Sequence, residues 1–148
     1  MRVVLLFFTT IFFLSCQTSY QKKSFSGGYE DSQLDKDVYK VSFHGNGYTK
    51  QSIVKDYAMR RCAELTIEQG FDHFVIIDKD SETTSYESNR KHSGTLTQNA
   101  SGGYSYNGTS RSTTVEKHTN EMIIKMFKNG LQPQTALNAQ SILKNYKD

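Results

Sequence analysis

Residues 71–112 read FDHFVIIDKDSETTSYESNRKHSGTLTQNASGGYSYNGTSRS, and the reading of this stretch decides the fold. Its first eight residues, Phe71 to Asp78, are apolar on both faces at their centre, which predicts a strand inside a sheet. The next 34, Lys79 to Ser112, are rich in Ser, Thr, Asn, Gly and Tyr. Structureless loops beyond about 12–15 residues are uncommon in compact domains. Two readings stay open: strands continuing outward as a long polar hairpin that turns near Ser101-Gly102-Gly103, or a disordered insertion. The hairpin with a mobile tip is the preferred one.

Working outward, a strand is expected over Thr113 to Phe127, with Met122, Ile123, Ile124, Met126 and Phe127 as its buried end. Asn129-Gly130 marks a turn. A final helix over Thr135 to Tyr146 places Ala136, Ala139, Ile142, Leu143 and Tyr146 on one side, with Lys144 and Lys147 at its negative end. Upstream, Tyr39, Val41 and Phe43 alternate with Lys40, Ser42 and His44, the pattern of a strand with one wet face. Gly45-Asn46-Gly47 ends it. Thr49 is positioned to cap a helix running to Gln69, with Val54, Ala58 and Leu65 on one side, flanked by Tyr57 and Cys62. Asp56, Arg60 and Glu64 lie opposite at i,i+4 steps, and Gly70 supplies a helix stop. The expected fold class is α+β: a small, mostly antiparallel sheet in the order strand, helix, strand, strand, helix, with helices on one face and a long polar hairpin or loop.

The amino end has a different character. Arg2 precedes an apolar run from Val3 to Leu14, VVLLFFTTIFFL. A membrane-spanning helix needs about 20 apolar residues, whereas a secretory h-region needs roughly 7–15 behind a charged start. The run ends in Phe13-Leu14-Ser15-Cys16, which resembles the lipobox of bacterial lipoproteins, with Phe13 where leucine is usual. That resemblance implies a diacylglyceryl thioether on Cys16, cleavage before it and acylation of the new amino group. Several acyl chains hold a protein far better than one, at about 0.8 kcal/mol per buried methylene. Gln17 rather than Asp after the cysteine favours, by analogy with sorting rules, the outer membrane facing the periplasm. The expected organisation is a signal peptide at 1–15, a lipidated polar tether at 16–36, and one α+β domain at 37–148 with the polar insertion 79–112. Lipidation of Cys16 leaves Cys62 without an internal partner, and its place on the apolar side of the helix favours a buried, inert thiol.

The remaining sequence carries a second resemblance. Gly28-Tyr29 with Asp31-Ser32-Gln33-Leu34, the run Tyr39 to Phe43, Gly45 to Thr49, Asp56-Tyr57-Ala58, Arg60 to Thr66 and Gly70 to Ile76 together resemble a family of small, functionally uncharacterised bacterial lipoproteins. The likeness covers residues 28–78 and, more loosely, Ala139 to Leu143. Cys62 stands where that pattern has a small residue, which suits packing. The resemblance implies a lipoprotein domain and adds no reaction.

Composition narrows the function. The chain carries 18 Lys and Arg against 15 acids, a net +3 that falls to +2 once Arg2 leaves with the leader. Such near-neutrality argues against nucleic acid, whose partners show clustered Lys and Arg. Four histidines, His44, His73, His92 and His118, show no HxH or HxxxH spacing, so no metal site and no cofactor are expected. There is no GxSxG elbow, P-loop or GxGxxG, so no catalytic residue is assigned. An enzymatic alternative, an envelope-polymer hydrolase, would need His73 and Asp78 to converge in a cleft, and strict alternation along Phe71–Asp78 puts them on opposite faces. A purely structural spacer is a third possibility. The favoured expectation is a non-enzymatic binding or scaffolding lipoprotein, held to the membrane through Cys16. Its partner would be another envelope protein or a glycan. The contact residues would be Lys40 and His44 on the wet sheet face, or Tyr86, Tyr104 and Tyr106, which sit among Ser, Asn and Gly as adaptable recognition surfaces do.

Overall fold

The computed structural model describes residues 17–146, apart from the side chains of Asn89, Arg90 and His92. Five strands form one antiparallel sheet: β1 (Gly28–Asp35), β2 (Val38–His44), β3 (His73–Gln98), β4 (Tyr104–Phe127) and β5 (Leu137–Asn138). Helix α1 (Gln51–Glu68) follows β2, and α2 (Ala139–Leu143) runs into a 3-10 turn at Lys144–Tyr146. Across the sheet the order is β1-β2-β4-β3-β5.

The core lies between α1 and the face of the sheet that carries Tyr39, Val41 and Phe43 of β2 and Met122, Ile124 and Met126 of β4. These positions are cross-strand partners, Tyr39 opposite Ile124 and Val41 opposite Met122, so one face of two strands supplies the buried layer. Val54, Ala58, Cys62 and Leu65 of α1 close over them at helical spacing. Helix α1 ends as expected at Gly70, which has a positive φ of 76° while the Phe71 amide donates to the Thr66 carbonyl at 2.9 Å. Thr49 does not cap it. Its hydroxyl donates within the Thr18 and Asn46 cluster, and Lys50 holds the N-cap position without a side-chain bond.

The α+β expectation is overturned. Strand makes up 53% of the described residues and helix 20%, and the molecule is mostly antiparallel β-sheet. Three local causes account for the difference. First, the polar stretch 79–112 is neither loop nor insertion in these strands: β3 and β4 continue through it, pairing from His73↔Phe127 out to Gln98↔Tyr104. Backbone ladder bonds need no apolar side chains, and Thr and Tyr favour extended backbone. Second, the expected helix over Thr135–Tyr146 loses its first turn and survives as α2 and the 3-10 turn at Lys144–Tyr146. Leu137 and Asn138 pair with Phe74 and His73, and Asn138 then caps the short α2 by accepting from the Ser141 amide at 2.8 Å.

Third, residues 17–36 fold where a polar tether was expected. Gly28–Asp35 pairs along β2 as an edge strand. Thr18 is buried, its amide donating to Thr49 Oγ1 at 2.8 Å and its hydroxyl to the Ser26 carbonyl at 3.0 Å. Tyr20 stacks with Tyr29, Phe43 and Tyr57, and its hydroxyl donates to Glu64. Sheet position is corrected as well. Strand β4 is central, whereas β3 beyond Phe74 has β4 as its only strand neighbour, and Ile77 is exposed on it at a register shift.

Candidate interaction surfaces

The wet face of the sheet carries two of the expected contact residues, and both are engaged within the chain. Lys40 Nζ lies 3.3 Å from Glu121 Oε2, which also accepts from Ser42 Oγ at 3.2 Å. His44 Nε2 lies 2.8 Å from Glu30 Oε1, the oxygen that Lys23 Nζ reaches at 2.6 Å, and His44 Nδ1 lies 3.3 Å from Thr119 Oγ1. The Lys23 hydrogen bond, aided by His44, outweighs partial burial and holds the Glu30 carboxyl below its ordinary pKa of 4.5. This face is a set of short-range polar contacts that tie β1 to Lys23 and β2, and β2 to β4, at exposures where each contributes little.

The second surface is the distal hairpin. Strand β2 accompanies β4 only from Thr119 to Lys125, and β5 accompanies β3 only at His73 and Phe74. Thr83–Gln98 and Tyr104–His118 therefore pair only with one another, as a ribbon roughly 50 Å long at about 3.3 Å per residue. Near its tip Leu96 pairs with Tyr106 and Gln98 with Tyr104, so these four side chains share one face. Leu96, Tyr104 and Tyr106 are 63%, 66% and 61% exposed, which leaves the aromatic area open to a partner. Tyr106 is held flat. Gly94 and Gly108 are cross-strand partners two residues further in, and a Cβ on either would strike the Tyr106 ring. The glycine pair makes a shelf on which the ring lies.

Tyr86 is not part of that face. It pairs with Val115, whose parity along β4 is opposite to that of Tyr104 and Tyr106, and it lies about 30 Å from Tyr106 at ~3.3 Å per residue. The Lys117 ammonium sits 5.2 Å from its ring centroid. Tyr86 instead belongs to a groove at the ribbon base shared with Phe25, Tyr48 and Val115. Phe25 and Tyr48 are strongly exposed. Sequence reasoning missed both, because each is a single aromatic in a polar loop and only the fold of residues 18–28 brings the loops together.

The residues invoked for chemistry do not converge. His73 and Asp78 were expected on opposite faces, but the register shift between Ile76 and Asp78 places both on one, opposite Phe127 and Ile123. They remain roughly 13 Å apart along β4 at about 3.3 Å per residue. His73 Nε2 is 3.2 Å from Asn138 Nδ2, and His118 Nδ1 is 3.0 Å from Thr83 Oγ1. Among the described residues, no three His, Cys, Asp or Glu side chains are grouped as metal ligands would be. Burial pushes the Cys62 thiol up to about 12, against a smaller opposing pull from Arg61, so the thiolate that reactive cysteines need is scarce.

Cys16, the expected lipidation site, and the apolar run before it, the expected signal peptide, lie outside the described residues. No helix among the described residues is long and apolar enough to cross a membrane. Comparison of the chain with protein-family models, with curated proteins and with solved structures returned no match.

Proposed function

We propose that this chain is a bacterial envelope lipoprotein, lipidated at Cys16, whose distal ribbon binds another component of the envelope without catalysing a reaction. The observation that carries the reading is the ribbon face of Leu96, Tyr104 and Tyr106, open to solvent, with the Tyr106 ring lying over the Gly94–Gly108 pair. Tyrosine offers flat apolar area and a hydroxyl with little rotamer entropy to lose, which suits a protein or a glycan surface. The wet sheet face, with Lys40 ion-paired and His44 hydrogen-bonded inside the chain, is the weaker candidate.

The start of the fold supports the anchoring half of the proposal. Thr18 is fixed two residues after Cys16, and two extended residues reach about 7 Å. A lipid on Cys16 would therefore hold the Thr18 end of the domain at the headgroups with almost no tether. The ribbon leaves the sheet at the His44–Thr119 end, next to Asn46 and Thr49, which grip Thr18. Anchor and ribbon thus share one end of the molecule. Gln17 at the second position supports placement in the outer membrane, facing the periplasm.

The test is cross-linking in living cells with tagged wild type, Cys16→Ser and a Leu96→Ser/Tyr104→Ser/Tyr106→Ser triple variant, followed by mass spectrometry and assay for captured glycan. The expected result is a distinct protein or glycan captured by the wild type and lost in the triple variant at unchanged thermal stability. Equal capture by the triple variant would overturn the ribbon face as the binding site. A wild-type chain that stays soluble and retains Met1 to Ser15 would overturn the anchor.

A further inference from the structure

The ribbon has two open edges as well as an open face. Beyond the sheet, nothing among the strands pairs with the outer edge of Thr83–Gln98 or with that of Tyr104–Ser112. Isolated two-stranded ribbons are marginal in water, and exposed strand edges are templates for further pairing. Natural sheets blunt such edges with proline, lysine or very short strands. This ribbon uses none of those devices near its tip. Residues 93–110, SGTLTQNASGGYSYNGTS, contain no Asp, Glu, Lys or Arg, and the single proline of the chain is Pro133.

The edges also indicate what would cover them. One edge belongs to β3 and the other to β4, and they are of nearly equal length. A β4 edge set beside the β3 edge of a neighbouring ribbon that points the same way makes an antiparallel pair. That is the pairing the chain already makes internally, over 23 residue pairs, with Ser opposite Thr at Ser88↔Thr113, Ser93↔Thr109 and Thr97↔Ser105. Cross-strand Ser and Thr pairs are favourable, and a second copy supplies both the length and the composition. Each copy that joins leaves one new edge, so the contact is heterologous and continues until a ring closes. We infer that the ribbon edges are a self-association surface, β4 of one copy pairing antiparallel with β3 of the next, so that several copies build one continuous sheet from their hairpins.

This arrangement would set the Leu96, Tyr104 and Tyr106 faces of successive copies side by side, so it extends the binding reading above. It does not depend on that reading, since the edges are backbone and the tyrosines stand off one face. The test uses two differently tagged full-length chains, one carrying Thr95→Cys on β3 and the other Asn107→Cys on β4, the positions that pair in the internal register, co-expressed and oxidised in membranes and again after extraction into detergent. Cys62 is buried, so the introduced thiols are the reactive pair. The expected result is a disulfide between the two tags, no adduct from Thr95→Cys chains alone, and a light-scattering mass of several chains for the extracted wild type. A Thr95→Glu/Thr97→Glu/Thr109→Glu variant should scatter as a single chain while its core melts as the wild type does, because the added charges repel across the ribbon edges and all three positions are exposed, away from the buried core. The inference is overturned by a wild type that is monomeric across the micromolar range, or by adducts that form as readily from Thr95→Cys alone. Loss of partner capture in the triple tyrosine variant, with the mixed-tag disulfide retained, would separate the two proposals.

Discussion

Arg61 and Cys62 are neighbours on α1 and show how differently burial acts on two side chains. The Arg61 side chain is only 8% exposed, yet it is fully engaged: Nε donates to Asp31 at 2.9 Å, Nη1 and Nη2 donate to Glu68 at 2.7 and 2.9 Å, and the guanidinium lies 4.6 Å from the Tyr29 ring centroid. Burial alone would lower its pKa, and the hydrogen bonds from Asp31 and Glu68 more than offset that. Arg61 is thus the clasp between β1 and α1. Arg61→Ala should cost about 3–5 kcal/mol in urea unfolding, the usual effect of removing one partner of a buried ion pair. A loss below about 1 kcal/mol, the range of exposed pairs, would refute the clasp. Cys62 has no such partner, and in native protein at pH 8 its thiol should resist maleimide and react only as urea unfolds the chain. Rapid labelling of the folded state would contradict its burial.

Tyr20 gives the alkaline counterpart. Burial first, then the hydrogen bond it donates to Glu64, raises its pKa above the ordinary 10.0, so the folded state holds the neutral phenol. A group whose folded pKa is raised contributes stability that is fully present below the unfolded pKa and is lost as pH rises. The chain should therefore lose stability above pH 10, and absorbance at 295 nm should show Tyr20, beside Tyr146 that burial and Asp56 raise likewise, ionising together with unfolding. Tyr20→Phe should remove its share of that linkage and lower stability at neutral pH by only about 1 kcal/mol, one hydrogen bond's worth.

At the scale of elements, the two ends of β3 and β4 differ in everything but backbone pairing. The inner ends bury Phe74, Ile124 and Met126 under α1, while the outer ends bury almost nothing. Hydrogen exchange should be slow at Phe74 and at Met122–Met126 and fast from Ser93 to Ser110, where few contacts oppose local opening. Proteases should cut the ribbon and leave an intact core. Gly94→Val tests the aromatic shelf: the new side chain meets the Tyr106 ring, so the Tyr106 resonances should shift while the core melting temperature stays within a degree or two. An unchanged tyrosine spectrum would show that the ring does not rest there.

The strand alternation of β2, the apolar stripe of α1 and the Gly70 stop were all legible because each rests on local periodicity or one backbone preference. Helix α2 was misread because its apolar spacing suited a longer helix. Leu137 and Asn138 have a stronger claim on the edge of β3, and no local signal carries that competition. Likewise β1 has no apolar alternation to reveal it. It forms because β2 offers an edge and Arg61 neutralises Asp31 on the core side. Tyr104 and Tyr106 were legible as a pair from composition. Grouping Tyr86 with them failed because parity and distance along the ribbon are set by pairing register.

At the scale of the whole molecule, a small helix-backed sheet extends into a ribbon that projects beyond its own core. The amino-terminal stretch closes the structure, since Thr18 joins the Asn46–Thr49 turn and Tyr20 joins Phe43 and Tyr57. Truncating the half-buried Tyr20 to Ala should cost about 2 kcal/mol, below the range of fully buried aromatics, whereas a free tether would make the change silent. Denaturation of the two chains side by side decides between them. The amino-acid sequence by itself determined the apolar run Val3 to Leu14, the near-neutral charge, and the stripes that make β2 and α1 bury one face each, because those depend on composition or on neighbours a few residues apart. Only the tertiary structure decided that β4 is central, that residues 17–36 belong to the fold, and that the polar third of the chain is paired strand. Ladder pairing joins residues up to 87 positions apart, as in Val38↔Lys125, and their backbone groups carry no trace of that partner in the local sequence.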